Sequence, residues 1–501
     1  MIGLMDLDPD ACYRAIQTRD ARFDGRLFVA VRTTGIYCRP VCPARTPKRE
    51  NVTFHATAAS AQEAGYRACL RCRPETSPQL GAWNGASNTV SRALALIEAG
   101  ALDEDDVETL AGRVGVGGRQ LRRLFLQHLG ATPVGVAQTR RVLLAKQLIH
   151  ETDLPMGEVA LAAGFGSVRR FNETFQQLYD RPPAALRRRK ALPAPAGEAI
   201  SLTLRYRPPY DWDGMLAFLA MRAIPGVEAV ENNVYRRVIV LDGAAGTIAV
   251  APIGGDRLSV AVRFPRPSAL PRILARVRGV FDLSADPVGI GEVLSRDPDL
   301  ARMVALRPGL RVPGAWDGFE LAVRAILGQQ ITVVQARKLA GDLTAAHGQP
   351  LPEPWAEPGL THAFPSAQRL AGADLSGLKM PGARIRCLSA MAGAIAADPN
   401  LLSPTAGLTE MVARLRALPG IGEWTAQYIA MRQLREPDAF PAADVALMRA
   451  LADADGVRPT ADQLLARAEA WRPWRAYAAL HLWASLADAG APPVRKVKRA
   501  A

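Results

Sequence analysis

The sequence predicts a multidomain chain, mainly α with α+β parts. In order, these are a small zinc-bound α+β domain, a tandem helix-turn-helix domain, a small α+β domain and an all-α helix-hairpin-helix domain. Three observations predict it: four cysteines in two close pairs near the front, two copies of a helix, glycine turn and helix, and β-rich runs followed by a helical stretch that contains LPGIG. At about 150 residues per domain, 501 residues allow three or four domains. The 49% hydrophobic content supplies several cores, and 42 glycines and 38 prolines fall short of a disordered composition. A net charge of +14 favours polyanionic partners, nucleic acid first. The first residues, MIGLMDLDPD, lack a basic stretch followed by an apolar one, and no apolar run approaches about 18 residues. The expectation is a cytoplasmic, reducing setting without a membrane partner.

Cys38 and Cys42 are spaced C-x3-C, and after 26 residues Cys69 and Cys72 are spaced C-x2-C. In a reducing compartment, paired spacing of this kind reads as four ligands for one tetrahedral Zn²⁺ rather than as disulfides. Cys12 and Cys387 stand alone and read as small buried apolar residues. Arg32, Arg39, Arg45, Lys48, Arg49, Arg67, Arg71 and Arg73 lie near the four sulfurs in sequence. Four thiolates on Zn²⁺ carry a net charge of about −2, which a cationic surround offsets in part. Spacing alone favours a zinc knot that folds a small domain. A reachable thiolate that acts as a nucleophile is the alternative.

The whole segment carries more. FVAVRTTGIYCRPVCPAR, then REN-V-x-F, then AGYRACLRCRP, resembles the N-terminal domain of Ada-type methylphosphotriester sensors over residues 1–78. The resemblance implies that Cys38 accepts a methyl group from a DNA phosphotriester, with Cys42, Cys69 and Cys72 as the other zinc ligands and Arg45 beside the DNA. A thiolate that becomes a thioether makes the centre less negative, so DNA binding tightens.

Residues 84–190 are expected to be helical. Leu110, Val114, Leu121, Leu124 and Phe125 recur at helical spacing around a turn of Gly115, Gly117 and Gly118. About 50 residues later Val159, Ala163, Phe165, Phe171 and Phe175 repeat the plan. In a helix-turn-helix the second helix enters a major groove. That makes Arg119, Arg122 and Arg123, and then Arg169, Arg170 and Asn172, candidate contacts to double-stranded DNA. An ordinary helical hairpin with a solvated basic face is the plain alternative. The tandem units, with GF-x-S-x-x-x-F-x-x-x-F and P-x-x-x-R, resemble the AraC/XylS DNA-binding domain, which also follows the zinc domain in Ada proteins. That resemblance implies a transcriptional activator working with RNA polymerase.

LRRRKALPAPAGEAI changes composition abruptly and predicts a linker over 191–200. VYRRVIVLDG, GTIAVAPIG and DRLSVAVRF, with the helical DGMLAFLAMRAI, predict an α+β domain over 201–287. The last domain is expected over 291–490. In LPGIGEWTAQYIAMR, Gly420 and Gly422 let the backbone approach a phosphate, and the next helix presents free N–H groups at its N-terminus. This is a helix-hairpin-helix element that grips DNA without reading sequence, although a lone PGIG can also be a plain helix connection. Asp444 lies 22 residues beyond Gly422 in the apolar phrase AFPAADVALMR, where a carboxylate marks a helix start. A cap and a chemical role are compatible. Four of eight tryptophans fall between 424 and 483; Trp424 and Tyr428 share a helical face, while Trp471 and Trp474 read as core.

PGIG-x-W-T-A-x-Y, the later Pro-x-x-Asp and WRPWRAYAALHLW resemble AlkA-type 3-methyladenine DNA glycosylases of the helix-hairpin-helix superfamily, and the similarity reaches back through RAILGQQIT to PPYDWDGMLAFLAMRAIPGVE. The resemblance implies that Asp444 is catalytic, that Trp424, Tyr428 and Trp483 line a base pocket, and that Leu327 is the wedge replacing an extruded nucleotide. Relatives with lyase activity carry a Lys where Trp424 stands, so base excision without strand cleavage is expected. No Pro-Cys-His-Arg phrase occurs, and Cys387 sits in IRCLSA, so direct reversal of alkylated guanine is not expected. The function expected is a bifunctional alkylation-damage response protein. The alternative is a zinc-dependent regulator whose rear half recognises damage with weak catalysis.

Overall fold

In a computed structural model, residues 8–78, 88–187, 199–403, 407–453 and 455–489 are described. Most of the expected linker, 191–200, lies outside them.

The front of the chain is a four-stranded sheet in the order Val52–His55, Phe28–Val31, Ile36–Cys38, Arg67–Ala68. The first three strands are antiparallel, and Arg67–Ala68 adds parallel to Ile36–Cys38. Two small apolar clusters support it, one around Ile16, Leu27, Val29 and Val52 and one around Phe28, Tyr37, Ala61 and Ala68. A core this small needs a metal or a neighbour to stand.

The two helix-turn-helix units are Val107–Arg113 with Gly118–Leu129, and Met156–Ala162 with Val168–Tyr179. The 19-residue helix Pro133–Glu151 joins them. Only Gly115 (φ +76°) makes the first turn by left-handed backbone, and Gly117 is the N-cap of the second helix. Gly118, expected in the turn, is already helical, because the Glu108 carboxylate accepts from its N–H at 3.1 Å and holds it in the first turn.

Behind them stands a five-stranded antiparallel sheet, ordered Ile200–Arg205, Arg257–Arg263, Ala244–Pro252, Val234–Leu241, Glu228–Glu231. Helices Trp212–Arg222 and Leu270–Val280 pack with it. A single hydrophobic cluster runs from Val142, Phe171 and Phe175 into Leu202, Trp212, Ile273 and Phe281. The second helix-turn-helix unit and the sheet therefore share a core, in which each buried Leu, Val or Phe contributes about 1.5–3 kcal/mol. Gln147 donates to the Thr203 carbonyl at 2.8 Å, and the Thr203 N–H donates to Glu151 at 2.9 Å, which seats the edge strand on helix Pro133–Glu151.

The rest is mainly helical, from Pro287–Leu294 to Arg475–Ala489, around its own large core; the expected all-α domain also holds a short antiparallel pair, Gln349–Pro350 with His362–Ala363. Trp471 and Trp474 are buried there, in the core role expected of them. Among the described residues no helix is long and apolar enough to cross a membrane.

Candidate functional site

Two centres stand out. The first is built by strand register. Ile36 and Tyr37 pair with Arg67 and Ala68 in parallel, and the Cys69 N–H donates to the Tyr37 carbonyl at 3.0 Å. Cys38 and Cys69 therefore leave neighbouring strands at the same end. Tight returns bring back Cys42, whose N–H donates to Arg39 O at 3.1 Å, and Cys72. The four sulfurs lie within 4.8 Å of one another. Four sulfurs at about 2.3 Å from Zn²⁺ define a tetrahedron with edges of about 3.8 Å, so the donor set and its spacing fit one such ion. The backbone N–H groups of Arg39 and Arg71 donate to the sulfurs of Cys72 (3.4 Å) and Cys69 (3.3 Å). As free thiols the four share protons unevenly: contact with Cys42 and then Cys69 and Cys72 pushes Cys38 up, and contact with Cys38 pulls Cys69 down. Cys69 and Cys72 are buried, whereas Cys38 and Cys42 are partly exposed.

The cationic surround divides in two. Arg39 is buried against Asp24 and serves the fold, while Arg45 is exposed. Glu75, three residues beyond Cys72, is buried against Lys146 of helix Pro133–Glu151 at 2.8 Å. Burial would raise this carboxyl, but Lys146 and Arg73 hold it below the usual range. The sulfur centre is thus fastened to the helix shared by both helix-turn-helix units. On those units Arg119, Arg122, Arg123, Arg169, Arg170 and Asn172 are exposed, opposite buried Leu121, Phe125, Phe171 and Phe175. Arg169 also pairs with Glu173 at 2.8 Å, an exposed pair that contributes little.

The second centre lies in the helical part. Helix Leu408–Arg416, a hairpin pinned by buried Ile421, and helix Glu423–Arg432 form the helix-hairpin-helix. Asp444 is the N-cap of Val445–Ala450, and its Oδ1 accepts from the Leu447 N–H at 2.9 Å. The carboxylate also accepts from two indoles: Trp424 Nε1 at 2.6 Å on Oδ2 and Trp483 Nε1 at 3.2 Å on Oδ1. Trp424 stacks on Tyr428 with centroids 5.1 Å apart and planes at 9°, and Trp483 meets Tyr428 edge-on at 6.4 Å. Trp424 and Tyr428 of one helix, Asp444 and Trp483 form one partly open cluster of rings around a fixed carboxylate.

Leu327 does not fit the wedge expected of it. It is fully buried in the core at the end of helix Gly318–Leu327, where its side chain packs inward. The side chain that faces solvent at this turn is Gln330, held at φ +57°. Its neighbour Gln329 donates to the Gly420 carbonyl (3.2 Å) and to Thr425 Oγ1 (3.3 Å), which sets the turn beside the hairpin. Sequence reasoning also passed over Arg432, whose Nη1 donates to the Tyr428 hydroxyl at 2.7 Å. Its place four residues after Tyr428, on the same helical face, was the available signal.

The two hairpin glycines have different duties. Gly420 adopts φ +82°, and a Cβ there would meet Cys387 Cβ at 2.8 Å. Gly422 has φ −86°, with nothing within 4 Å of an added Cβ. Gly420→Ala is expected to cost about 1–3 kcal/mol of stability, whereas Gly422→Ala leaves stability within about 0.5 kcal/mol and weakens DNA binding. Thermal melts and binding to undamaged duplex check both; equal melting losses would overturn the distinction.

Family models match three segments: "Metal binding domain of Ada" over residues 11–75, "Helix-turn-helix domain" over 110–189 and "AlkA N-terminal domain" over 201–317. The chain is 43% identical over 483 residues to a "Probable bifunctional transcriptional activator/DNA repair enzyme AlkA" of Mycobacterium tuberculosis, covering 96% of this chain and 97% of that one. It is 35% identical to "DNA-3-methyladenine glycosylase 2" of Escherichia coli, over 56% of this chain and 96% of the relative. A solved 3-methyladenine DNA-glycosylase from Archaeoglobus fulgidus superposes with TM-score 0.50 at 22% identity, over 56% of this chain and 96% of that one, and so shares the fold of the rear half.

Proposed function

We propose, from the premise that the chain belongs to the family of bifunctional transcriptional activators and DNA repair enzymes of the AlkA type, that it carries out two reactions on alkylated DNA. The rear half hydrolyses the N-glycosidic bond of alkylated purines of the 3-methyladenine type. The front half takes the methyl group of a DNA methylphosphotriester onto Cys38 and then activates transcription with RNA polymerase in the cytoplasm.

The observation that carries the excision reading is the Asp444 carboxylate held by two indole N–H groups inside a ring cluster. An alkylpurine such as 3-methyladenine is cationic, and the electron-rich faces of Trp424, Tyr428 and Trp483 attract it once flipped, by about 1–2 kcal/mol per desolvated contact. Asp444 faces the sugar, where its negative charge stabilises the developing oxocarbenium ion. Gly420 and Gly422 hold the backbone, and Gln330, in place of Leu327, enters the space left by the flipped nucleotide. With Trp424 where a lyase would carry lysine, excision leaves the strand intact.

In the front half, Cys38, Cys42, Cys69 and Cys72 hold the zinc, which keeps their sulfurs deprotonated at neutral pH. The Cys38 sulfur attacks the methyl carbon. An S–C bond forms, the C–O bond breaks, and the oxygen keeps the electron pair as a phosphodiester anion. Arg45 accompanies the backbone there. Arg119, Arg122, Arg169 and Arg170 then hold the promoter in two major grooves.

Incubating the full chain with duplex treated with a radiolabelled methylating agent tests both reactions. Released 3-methyladenine and label on the protein are both expected. Absence of either one removes the corresponding half.

A further inference from the structure

Three helices from different parts of the chain, Asn88–Glu98, Pro133–Glu151 and Leu270–Val280, surround a cavity of about 440 Å³ that neither reaction above uses. Helical spacing brings Val136, Arg140 and Leu143 of the second helix to its wall, and Leu274 and Arg278 of the third. Glu75 of the front unit and residues 433–436, which follow helix Glu423–Arg432, complete the wall. Packed interiors leave few voids larger than a water molecule, whereas small-molecule sites span about 300–1,000 Å³. Leu94, Leu143 and Leu144 stay partly exposed on the lining, which is apolar surface that an occupant would cover.

Most charges at this wall are answered. Lys146 pairs with Glu75 at 2.8 Å, Asp282 pairs with Arg435, and Arg92 acts on Glu436. Asp103 serves both Arg140 and Arg141. Arg278 is the exception. It lies on the lining, partly exposed, and among the described residues no carboxylate closes an ion pair with it and no acceptor takes its N–H groups. Burial lowers this guanidinium from its usual value; Glu98 opposes the shift, and the like charge of Arg140 adds to it. An anion in the cavity would supply the missing partner.

We propose that this cavity binds a small amphipathic monoanion, with a hydrocarbon body on the leucines and one carboxylate or sulfonate on Arg278. A guanidinium offers two parallel N–H groups to such a head. A nucleotide fits worse, because its ribose hydroxyls would lie on leucine without partners and its phosphate would bring a second charge. The occupant touches the front unit, the helix-turn-helix domain and the rear half together. Its binding therefore favours their assembled form and raises the melting temperature by mass action.

The probe is anilinonaphthalene sulfonate, compared with its neutral relative phenylnaphthylamine, on the full metal-loaded chain without DNA. A single sulfonate dye per chain is expected to bind with a rise in fluorescence, and to be displaced by decanoate but not by AMP. Arg278→Gln is expected to weaken the sulfonate dye at least about tenfold, through loss of the charge-assisted pair, and to leave the neutral dye within about twofold. Ala95→Trp puts a large ring at an exposed position of the lining and is expected to exclude both dyes. Should that variant not fold, Ala275→Phe on helix Leu270–Val280 takes its place with the same direction. An Arg278→Gln variant that binds the sulfonate dye as tightly as wild type overturns the proposal, as does a wild type that binds none. Displacement by undamaged duplex would place the dye on the DNA-binding faces, and displacement by AMP would make this a nucleotide site; either result also overturns it.

Discussion

Asp444→Asn is expected to lower single-turnover release of 3-methyladenine by about 10²–10³-fold while leaving the protein folded and its methyl uptake unchanged. The reasoning starts from three bonds. Asp444 Oδ1 caps the Leu447 N–H and receives Trp483, and Oδ2 receives Trp424. Asparagine keeps one acceptor, which the helix end claims, since Asn caps about as well as Asp. Its amide NH₂ then faces the Trp424 indole N–H, donor against donor. The charge is lost, and the ring that stacks on Tyr428 loses its anchor. Stability should change by no more than about 1 kcal/mol, the net worth of one such bond. A variant that excises at more than about a tenth of the wild-type rate removes Asp444 from the chemistry. A variant that melts far below wild type points to structural damage, and Asp444→Glu then serves as the second probe.

What could be read from the chain alone follows a physical pattern. Local features were legible. The cysteine spacing pointed to one four-sulfur centre, and the sulfurs do converge. Leu121, Phe125, Phe171 and Phe175 marked the inner faces of the helix-turn-helix units by their period, and all four are buried. The sheet runs around 234–263 alternate and form strands, whereas Glu228–Glu231, with a carboxylate at each end, and Ile200–Arg205, beside the proline-rich stretch, carried no clear signal. Features that depend on distant packing were not legible. Leu327 ends a helix in which nearly every side chain is apolar, so its own phrase does not say whether the last one turns inward. Arg432 reads as an ordinary solvated charge until the fold closes Pro313 and Gly314 over it. The abrupt composition after Leu186 signals separate units, yet Phe175 and Leu202 share one core across it. That contact needs the whole helix Pro133–Glu151 as a platform, which no local window contains.

Cys38→Ala is expected to abolish methyl uptake from methylphosphotriester DNA while base release stays within about twofold of wild type. Exposure narrows the acceptor to two sulfurs, since Cys69 and Cys72 are buried and only Cys38 and Cys42 are partly open. Losing either also removes a metal ligand, so uptake by variants cannot tell them apart. Peptide mapping of the labelled wild-type chain can: S-methylation at Cys38 is expected, and label at Cys42 would overturn the assignment. The consequence for DNA is electrostatic. A thioether at Cys38 removes one negative charge near the phosphates, which at a few ångströms in partly solvated surroundings amounts to about 1 kcal/mol, or about fivefold in affinity. The centre is fastened through Glu75 and Lys146 to the helix that joins the two helix-turn-helix units, so this gain adds to the contacts that Arg119 and Arg169 make. Promoter binding by wild type should therefore tighten after methylation, and the gain should shrink as salt rises; Cys38→Ala should show neither. A gain of equal size at low and high salt would mean that methylation works by rearranging the protein instead of by relieving charge.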